Sequence, residues 1–290
     1  MATPTIQLND GTSMPWVAFG SGTKHRGTDA SKLIADAIKT GFRHIDCAQM
    51  YGNEESVGKG IAESSVPREE LYITTKLNQL APGVTVKDSL TTSLARLRTD
   101  YVDAFLIHAP TQHENLQEVW REMEACKREG LARSIGVSNF TQKYLDQILA
   151  IATIPPAVNQ IELHPYVLKI SLPLLEYHKQ RGIVTTSYGG LSSIARFPGG
   201  PVDPVLARIA ARLSDTYGKP VTQAQVLQVW LRKKGLPYVT TTSKVERMME
   251  YLQSSELPDI TDEEEHSIDA AGSQVHHRFN MCPWMDDVEQ

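Results

Sequence analysis

The sequence predicts an α/β protein built as a closed (β/α)8 TIM barrel, with an N-terminal β-hairpin, extra helices and a C-terminal tail. Three observations point there. Eight short β-branched runs alternate with amphipathic segments along the chain, the pattern of strands feeding crossover helices. Polar residues closing four successive runs, Asp46, Lys76, His108 and Ser138, recur every ~30 residues, the length of one βα unit. The competing open sheet requires a Gly-x-Gly-x-x-Gly loop after its first strand. Gly20-Ser21-Gly22 begins one, but His25 stands where the third glycine belongs.

In chain order, a hairpin is expected over 5–14 around Asn9-Asp10-Gly11, capping the barrel floor. Barrel strands are expected at 17–20, 44–48, 71–77, 101–108, 133–138, 157–163, 183–187 and 238–241. Between them, Leu33, Ile34, Ala37 and Ile38 share one helical face, as do Leu90, Leu94 and Leu97, and Val119, Met123 and Cys126. Gly41, Gly130 and Gly182 mark helix stops. An extra helix near 205–216 precedes the expected one near 223–234. Thr261 caps a last helix whose first turn, Asp262 to Glu265, is acidic and suits the helix dipole without implying a ligand. An irregular tail follows over 275–290. The chain, 1–290, is expected to form one domain.

Bulk properties exclude several function classes. With 41% hydrophobic and 22% charged residues, the chain reads as ordinary soluble globular protein. Its net charge is −5, with no basic block, so nucleic acid is not an expected partner. Cys47, Cys126 and Cys282 have no CxxC or CxxH spacing, which implies neither disulfide framework nor zinc site, and a reducing, cytoplasmic setting. No basic-then-apolar leader and no long apolar run occurs, so no membrane association is expected. Without an evident apolar surface stripe, a monomer or loose homodimer is expected.

The chemistry-bearing residues gather at one end. In a barrel, the C-terminal strand ends face one mouth, where active sites sit. Asp46, Lys76 and His108 end three successive strands, and Tyr51 follows Asp46 closely. An acid and a lysine that each end an apolar run are costly to bury alone, so Asp46 and Lys76 are expected to pair. A free tyrosine has a pKa near ~10 and donates a proton poorly at neutral pH. An adjacent ammonium lowers that value, a carboxylate keeps the ammonium charged, and a histidine orients a carbonyl or relays a proton. Together they make a general acid for a carbonyl oxygen becoming an alkoxide. Hydride attack on the carbonyl carbon produces that alkoxide, so a hydride donor is implied.

Other candidates read as structural. His44 is assigned to packing, His164 to a strand-end turn, and Cys47 to the core face opposite Asp46. Adjacent His276 and His277 lack further ligands at metal spacing, so no metal is expected. Ser138 and Asn139 taken alone suit a helix cap, whereas a solvated helix face is only the lesser reading of Lys244 and Arg247.

The chain resembles the aldo-keto reductase family over nearly its whole length. Gly41-Phe42-Arg43-His44-Ile45-Asp46, with Tyr51, Asn53 and Glu54, is similar to that family's first motif. Ile73-Thr74-Thr75-Lys76-Leu77 and Asp103-Ala104-Phe105-Leu106-Ile107-His108 resemble its second and third. The resemblance implies a catalytic tetrad of Asp46, Tyr51, Lys76 and His108, with Tyr51 as proton donor. It implies that Ser138, Asn139 and Gln160 hold a nicotinamide carboxamide and that Tyr188 stacks on the ring. Gly189, Gly190, Leu191 and Ser193 would meet the pyrophosphate, although the usual Ser-Pro-Leu-Gly sequence is absent. Thr241 and Thr242 replace a Lys-Ser pair common in the family. With Ser243, Lys244, Arg247 and Glu250 they would hold the adenosine end, where a helix opened by Thr240–Lys244 would favour an anion.

The same segment and Ala271-Gly272-Ser273 look most similar to fungal conjugated polyketone and α-keto amide reductases, a group that uses NADPH. NADPH is therefore the expected cofactor, with NADH left open by the missing lysine. Lys24, Asn78 and Ala109 stand where aldose reductases carry tryptophans, so a wider, more polar substrate mouth is expected, with Trp284 and Met285 of the tail supplying a wall. The resulting expectation is an NADPH-dependent carbonyl reductase acting on a small aldehyde or ketone, such as ketopantoyl lactone, isatin or an α-keto ester or amide. Two alternatives stand beside it: a Schiff-base lyase using Lys76, and a cofactor-sensing partner protein of the same fold.

Overall fold

The structure is a computed structural model and describes residues 4–22, 25–280 and 282–287. Strands β1 (Thr5–Gln7) and β2 (Ser13–Pro15) form an antiparallel hairpin. Then come β3 (Val17–Gly20), β4 (His44–Asp46), β5 (Tyr72–Leu77), β6 (Val102–Ile107), β7 (Ala132–Ser138), β8 (Val158–Glu162), β9 (Val184–Tyr188) and β10 (Tyr238–Thr240). These eight strands close in sequence order, with β10 pairing β3. Every barrel pairing is parallel. β5 and β6 are buried at every residue, because the outer face of a barrel strand is covered by helices and the inner face by its neighbours.

The helices are α1 (Ser31–Thr40), α2 (Glu54–Ser64), α3 (Val86–Leu97), α4 (Leu116–Arg128), α5 (Gln142–Leu149), α6 (Pro165–Gln180), α7 (Ser192–Ala195), α8 (Asp203–Tyr217), α9 (Gln223–Lys233), α10 (Val245–Gln253) and α11 (Asp262–Gly272). Their expected faces point inward. Ile34, Ala37 and Ile38 of α1, Leu90, Leu94 and Leu97 of α3, and Val119, Met123 and Cys126 of α4 are all buried, with Leu33 partly so. Each large apolar side chain so covered stabilises by about 1.5–3 kcal/mol. Thr261 and Glu264 form a reciprocal capping box at α11. The acidic turn behind it is paired with Arg212, Lys233 and Lys234.

The hairpin plugs the barrel floor. Leu8 and Met14 pack inside against Tyr72, Leu106 and Val158. Asp10 ion-pairs with Lys127 at 2.7 Å, and Thr12 meets Ser134 at 2.8 Å. His44 belongs to the same layer: its Nε2 lies 2.8 Å from Thr74 Oγ1, and its ring packs edge-on against Tyr72. Observed strands end within one or two residues of the expected limits. One shift matters: α10 begins at Val245, so Thr241, Thr242 and Ser243 lie in a loop rather than in the helix. No helix among the described residues is long and apolar enough to cross a membrane.

Candidate active site

Parallel register carries the polar strand ends to one mouth. Gly20 lies beside Asp46, Lys76 beside Leu106, Ser138 beside Gln160, and Glu162 beside Tyr188. Asp46 and Lys76 are on neighbouring strands, 2% and 0% exposed. Lys76 Nζ donates to Asp46 Oδ1 at 2.5 Å and to the Cys47 carbonyl at 3.1 Å. The other carboxylate oxygen, Oδ2, accepts from Gln160 Nε2 at 2.8 Å. Burial pulls the Lys76 ammonium down, and the facing Asp46 carboxylate more than offsets it, so its pKa lies above the ordinary value. A sealed, charged, ion-paired amine cannot attack a carbonyl carbon, which removes the Schiff-base alternative.

Tyr51 ends a short turn, Gln49–Tyr51, beyond β4. Lys76 Nζ lies 5.5 Å from its ring centre, and the His108 ring stands edge-on at 5.6 Å. Gly22 makes room for the phenol: a Cβ there would lie 2.9 Å from Tyr51 Cε2 and Cζ. The Gly20-Ser21-Gly22 stretch thus owes its second glycine to Tyr51 rather than to a phosphate loop. The expected lowering of the Tyr51 pKa is corrected. Burial pushes the phenol above 10.0, and Lys76 and Arg26 pull against it without overcoming it. The group is therefore a protonated phenol at neutral pH, with a cation waiting for the phenolate.

His108 is buried and neutral. Burial, then the nearby Lys76 and Arg26 charges, push its pKa down to about 3. Its Nδ1 has no partner among the described residues, while Asn139 Nδ2 holds its carbonyl at 3.0 Å. Cys47 is sealed, with its Sγ 3.1 Å from the Thr74 carbonyl and its thiol pKa pushed far up by burial, so it has no catalytic reach.

Ser138, Asn139, Gln160 and Tyr188 form one network. Ser138 Oγ donates to the Gln160 carbonyl at 2.8 Å, and Asn139 Nδ2 to Ser138 Oγ at 3.1 Å. Tyr188 OH donates to Asn139 Oδ1 at 2.8 Å. Asn139 adopts a left-handed φ of 61°, which asparagine tolerates better than most residues. Ser138 and Asn139 do not cap α5, whose N-cap is Thr141. Gln160 Oε1 and His108 Nδ1 accept no hydrogen bond from the described residues.

Leading on from Tyr188, the N–H groups of Gly190, Leu191 and Ser193 find no acceptor among the described residues. Ser193 Oγ is buried without a partner among them. Gly190 runs close to its neighbours: a Cβ there would lie 2.7 Å from Leu231 Cδ1. These free donors, with the Gln160 and His108 acceptors, fit the pyrophosphate and carboxamide of a nicotinamide dinucleotide.

Lys244 and Arg247 are exposed at the start of α10, whose N-terminus has no side-chain cap. Thr241 and Ser243 are exposed beside them, and Thr242 Oγ1 accepts from the Lys244 N–H at 3.2 Å. Glu250 departs from this group. Its carboxylate accepts from Thr222 Oγ1 at 2.6 Å, at the cap of α9.

Of the expected substrate-side residues, Lys24 lies outside the described residues. Asn78 follows β5, with its Oδ1 accepting from Gln112 Nε2 at 3.2 Å. Ala109 follows His108 and is buried. Trp284 comes over from the tail, its Nε1 donating to the Asn139 carbonyl at 2.8 Å.

Sequence reasoning missed Arg26, whose guanidinium lies 5.0 Å above the Tyr51 ring. It missed Asn53, whose amide holds the carbonyls of Ser21 and His25. It missed the buried Glu54, which accepts from Thr75 Oγ1 at 2.7 Å. Asn53 and Glu54 close the first motif, and that was the only available signal. A hollow of about 510 Å3 beside Trp16, Gln228 and Leu252 holds none of the expected site residues. It borders the N-terminal ends of β3 and β10, away from the mouth where charge is arranged.

The fold and the site define a carbonyl-reducing oxidoreductase barrel. Comparison with known proteins agrees: the aldo/keto reductase family model matches residues 16–273. The chain belongs to that family. It is 38% identical to the NAD/NADP-dependent indole-3-acetaldehyde reductase of Schizosaccharomyces pombe, over 96% of this chain and 98% of that protein. It is 34% identical to the glyoxal reductase of Bacillus subtilis, over 92% of each. Among solved structures it is similar to a Bombyx mori aldo-keto reductase in complex with NADP. The TM-score is 0.83 at 31% identity, covering 99% of this chain and 98% of that one.

Proposed function

We propose that the chain reduces the carbonyl of a small aldehyde or ketone to an alcohol, with NADPH as hydride donor and Tyr51 as proton donor. The observation that carries this reading is a protonated phenol standing 5.5 Å from a buried ammonium and 5.6 Å from a neutral imidazole. When bound, NADPH supplies the hydride that goes to the carbonyl carbon. As the C=O π bond breaks, Tyr51 gives its proton to the oxygen. The phenolate so formed faces Lys76, whose charge Asp46 maintains, and solvent later returns the proton. Neutral His108 orients the carbonyl oxygen by hydrogen bonding without competing as an acid.

On the cofactor side, Ser138, Asn139 and Gln160 would hold the carboxamide and Tyr188 would stack on the ring. Gly189, Gly190, Leu191 and Ser193 would hold the pyrophosphate. Lys244 and Arg247, with Thr241, Thr242 and Ser243, would hold the ribose phosphate that distinguishes NADPH from NADH.

A dicarbonyl or cyclic ketone is the favoured substrate class. Asn78 and Ala109 leave the mouth wide, and Gln112 Oε1 and His113 Nε2 lack partners among the described residues, which suits a substrate with a second polar group. A relative named for glyoxal, the simplest dicarbonyl, supports this. The test is turnover of α-keto esters, isatin, ketopantoyl lactone, glyoxal and simple aldehydes with NADPH and NADH, for the parent and Tyr51→Phe. Removing the general acid is expected to lower kcat by about 10²–10⁴-fold with NADPH affinity retained. Normal ketone reduction by Tyr51→Phe would overturn the mechanism, and tight NADPH binding without turnover by the parent would favour a cofactor-sensing role.

A further inference from the structure

Glu162 ends β8 and is 0% exposed. A carboxylate there is costly unless donors surround it, and most of its donors come from the distant tail. Oε1 accepts the main-chain N–H of Phe279 at 2.9 Å, and Oε2 that of Asn280 at 3.1 Å. The Arg278 guanidinium faces Oε2 at 3.8 Å. The barrel contributes His164, whose Nε2 lies 3.2 Å from Oε1. His164 Nδ1 accepts the Tyr166 N–H, so the ring hydrogen belongs on Nε2 and the imidazole is a neutral donor. Although burial raises the Glu162 pKa, these donors outweigh it and hold the group ionised.

The tail then braces itself. Arg278 grips Asp286 at 2.8 Å, and Asp286 also meets His276 at 3.3 Å. Arg196, after α7, donates to the Phe279 carbonyl at 3.2 Å. Farther along, Cys282 Sγ reaches 4.0 Å from Tyr188 OH, and Trp284 bonds the Asn139 carbonyl. Tail and nicotinamide-side network are thus in direct contact, and the contact is seated on Glu162.

We propose that Glu162 is a positioning residue: its carboxylate seats residues 278–280 on the end of β8 and so sets where Trp284 stands over the mouth and how wide the substrate site is. The word substrate rests on the carbonyl-reductase reading; the seating does not. An anion is required because two N–H groups, an imidazole N–H and a guanidinium converge on it. In Glu162→Gln the new NH2 group faces donors, and one acceptor oxygen is lost.

The test uses the full chain. Trypsin cleavage after Arg278, whose side chain is 5% exposed, is followed by mass spectrometry in the parent, Glu162→Gln and Glu162→Asp. The Gln variant is expected to be cut about ten-fold faster while still unfolding cooperatively, because local opening governs cleavage. The Asp variant, which keeps the charge, is expected to be intermediate. With a bulky α-keto ester, KM should rise about ten-fold in the Gln variant while NADPH affinity stays within about two-fold. Unchanged protection of Arg278 overturns the seating, and faster cleavage with unchanged KM overturns the link to the substrate site. Should Glu162→Gln not fold, Arg278→Gln is read by acrylamide quenching of Trp284, with Trp284→Phe as the baseline. Unchanged quenching overturns the proposal. Cleavage and quenching are independent of turnover, so failure of the carbonyl-reductase reading leaves them interpretable.

Discussion

Asp46→Asn keeps the size of the side chain but removes its charge and one of the two acceptor oxygens that Lys76 and Gln160 bond, so its effects report the loss of the carboxylate. Lys76 is fully enclosed and loses its carboxylate partner, at 2.5 Å. Breaking a buried pair from one side costs about 3–5 kcal/mol. With a urea slope near ~3 kcal/mol/M, the unfolding midpoint should fall by about 1–1.7 M. The pH dependence has a definite sign. In the parent, burial lowers the Lys76 pKa and Asp46 raises it further, leaving it above 10.5. The pair's stabilisation is therefore complete below 10.5 and lost only as pH rises through the folded value. In the variant burial wins, and the folded value drops below 10.5. The unfolded chain then binds a proton the folded chain refuses, so the variant gains stability as pH rises from its lowered folded value toward 10.5, where the parent gains none from this site.

Catalysis should fall with the same charge. A unit charge 5.5 Å from the Tyr51 ring centre contributes about 3 kcal/mol at an effective dielectric near ~20, or roughly 100-fold on a step that forms phenolate. The assays are urea unfolding at two pH values and single-turnover reduction. A stability loss under about 1 kcal/mol with the parent's pH slope, or single-turnover rates within about three-fold of the parent, would refute the argument.

Two further outcomes follow from the same geometry. Lys244→Ala and Arg247→Ala should each raise the KM for NADPH about ten-fold and leave that for NADH unchanged, with the NADPH effect shrinking at high salt; equal effects on both cofactors would remove the ribose-phosphate assignment. Burial holds His44 at about 4, and His108 and His178 at about 3, against an ordinary 6.5. The unfolded chain takes up protons there that the folded chain refuses, so stability should decline as pH falls below about 6.5. Unfolding midpoints that match at about pH 5 and about pH 7 would contradict this.

The barrel was legible in the sequence because its signals are local: apolar period within each helix, β-branched runs, and strand-end polar residues one βα unit apart. Asp46 and Lys76 could be paired from the sequence alone, because each is costly to bury without a partner. Strand-end glutamines, serines and glycines carry no such penalty, and their assignment leaned on family likeness. Arg26, Glu162 and Arg278 were invisible for a different reason. Glu162 and Arg278 are 116 positions apart and meet only when the tail crosses the mouth. No periodicity links an acid on a strand to an arginine in an irregular segment.

What the sequence determined by itself is the order of strands and helices and the set of chemical groups delivered to one end of the barrel. The tertiary structure decided the electrostatics of that end. Proximity alone suggested that Lys76 would acidify Tyr51, but enclosure raises the phenol more than the ammonium lowers it, because desolvation depends on everything packed around a group. It also decided what closes the mouth, since the tail's place is set by donors converging on one carboxylate rather than by any pattern along the chain.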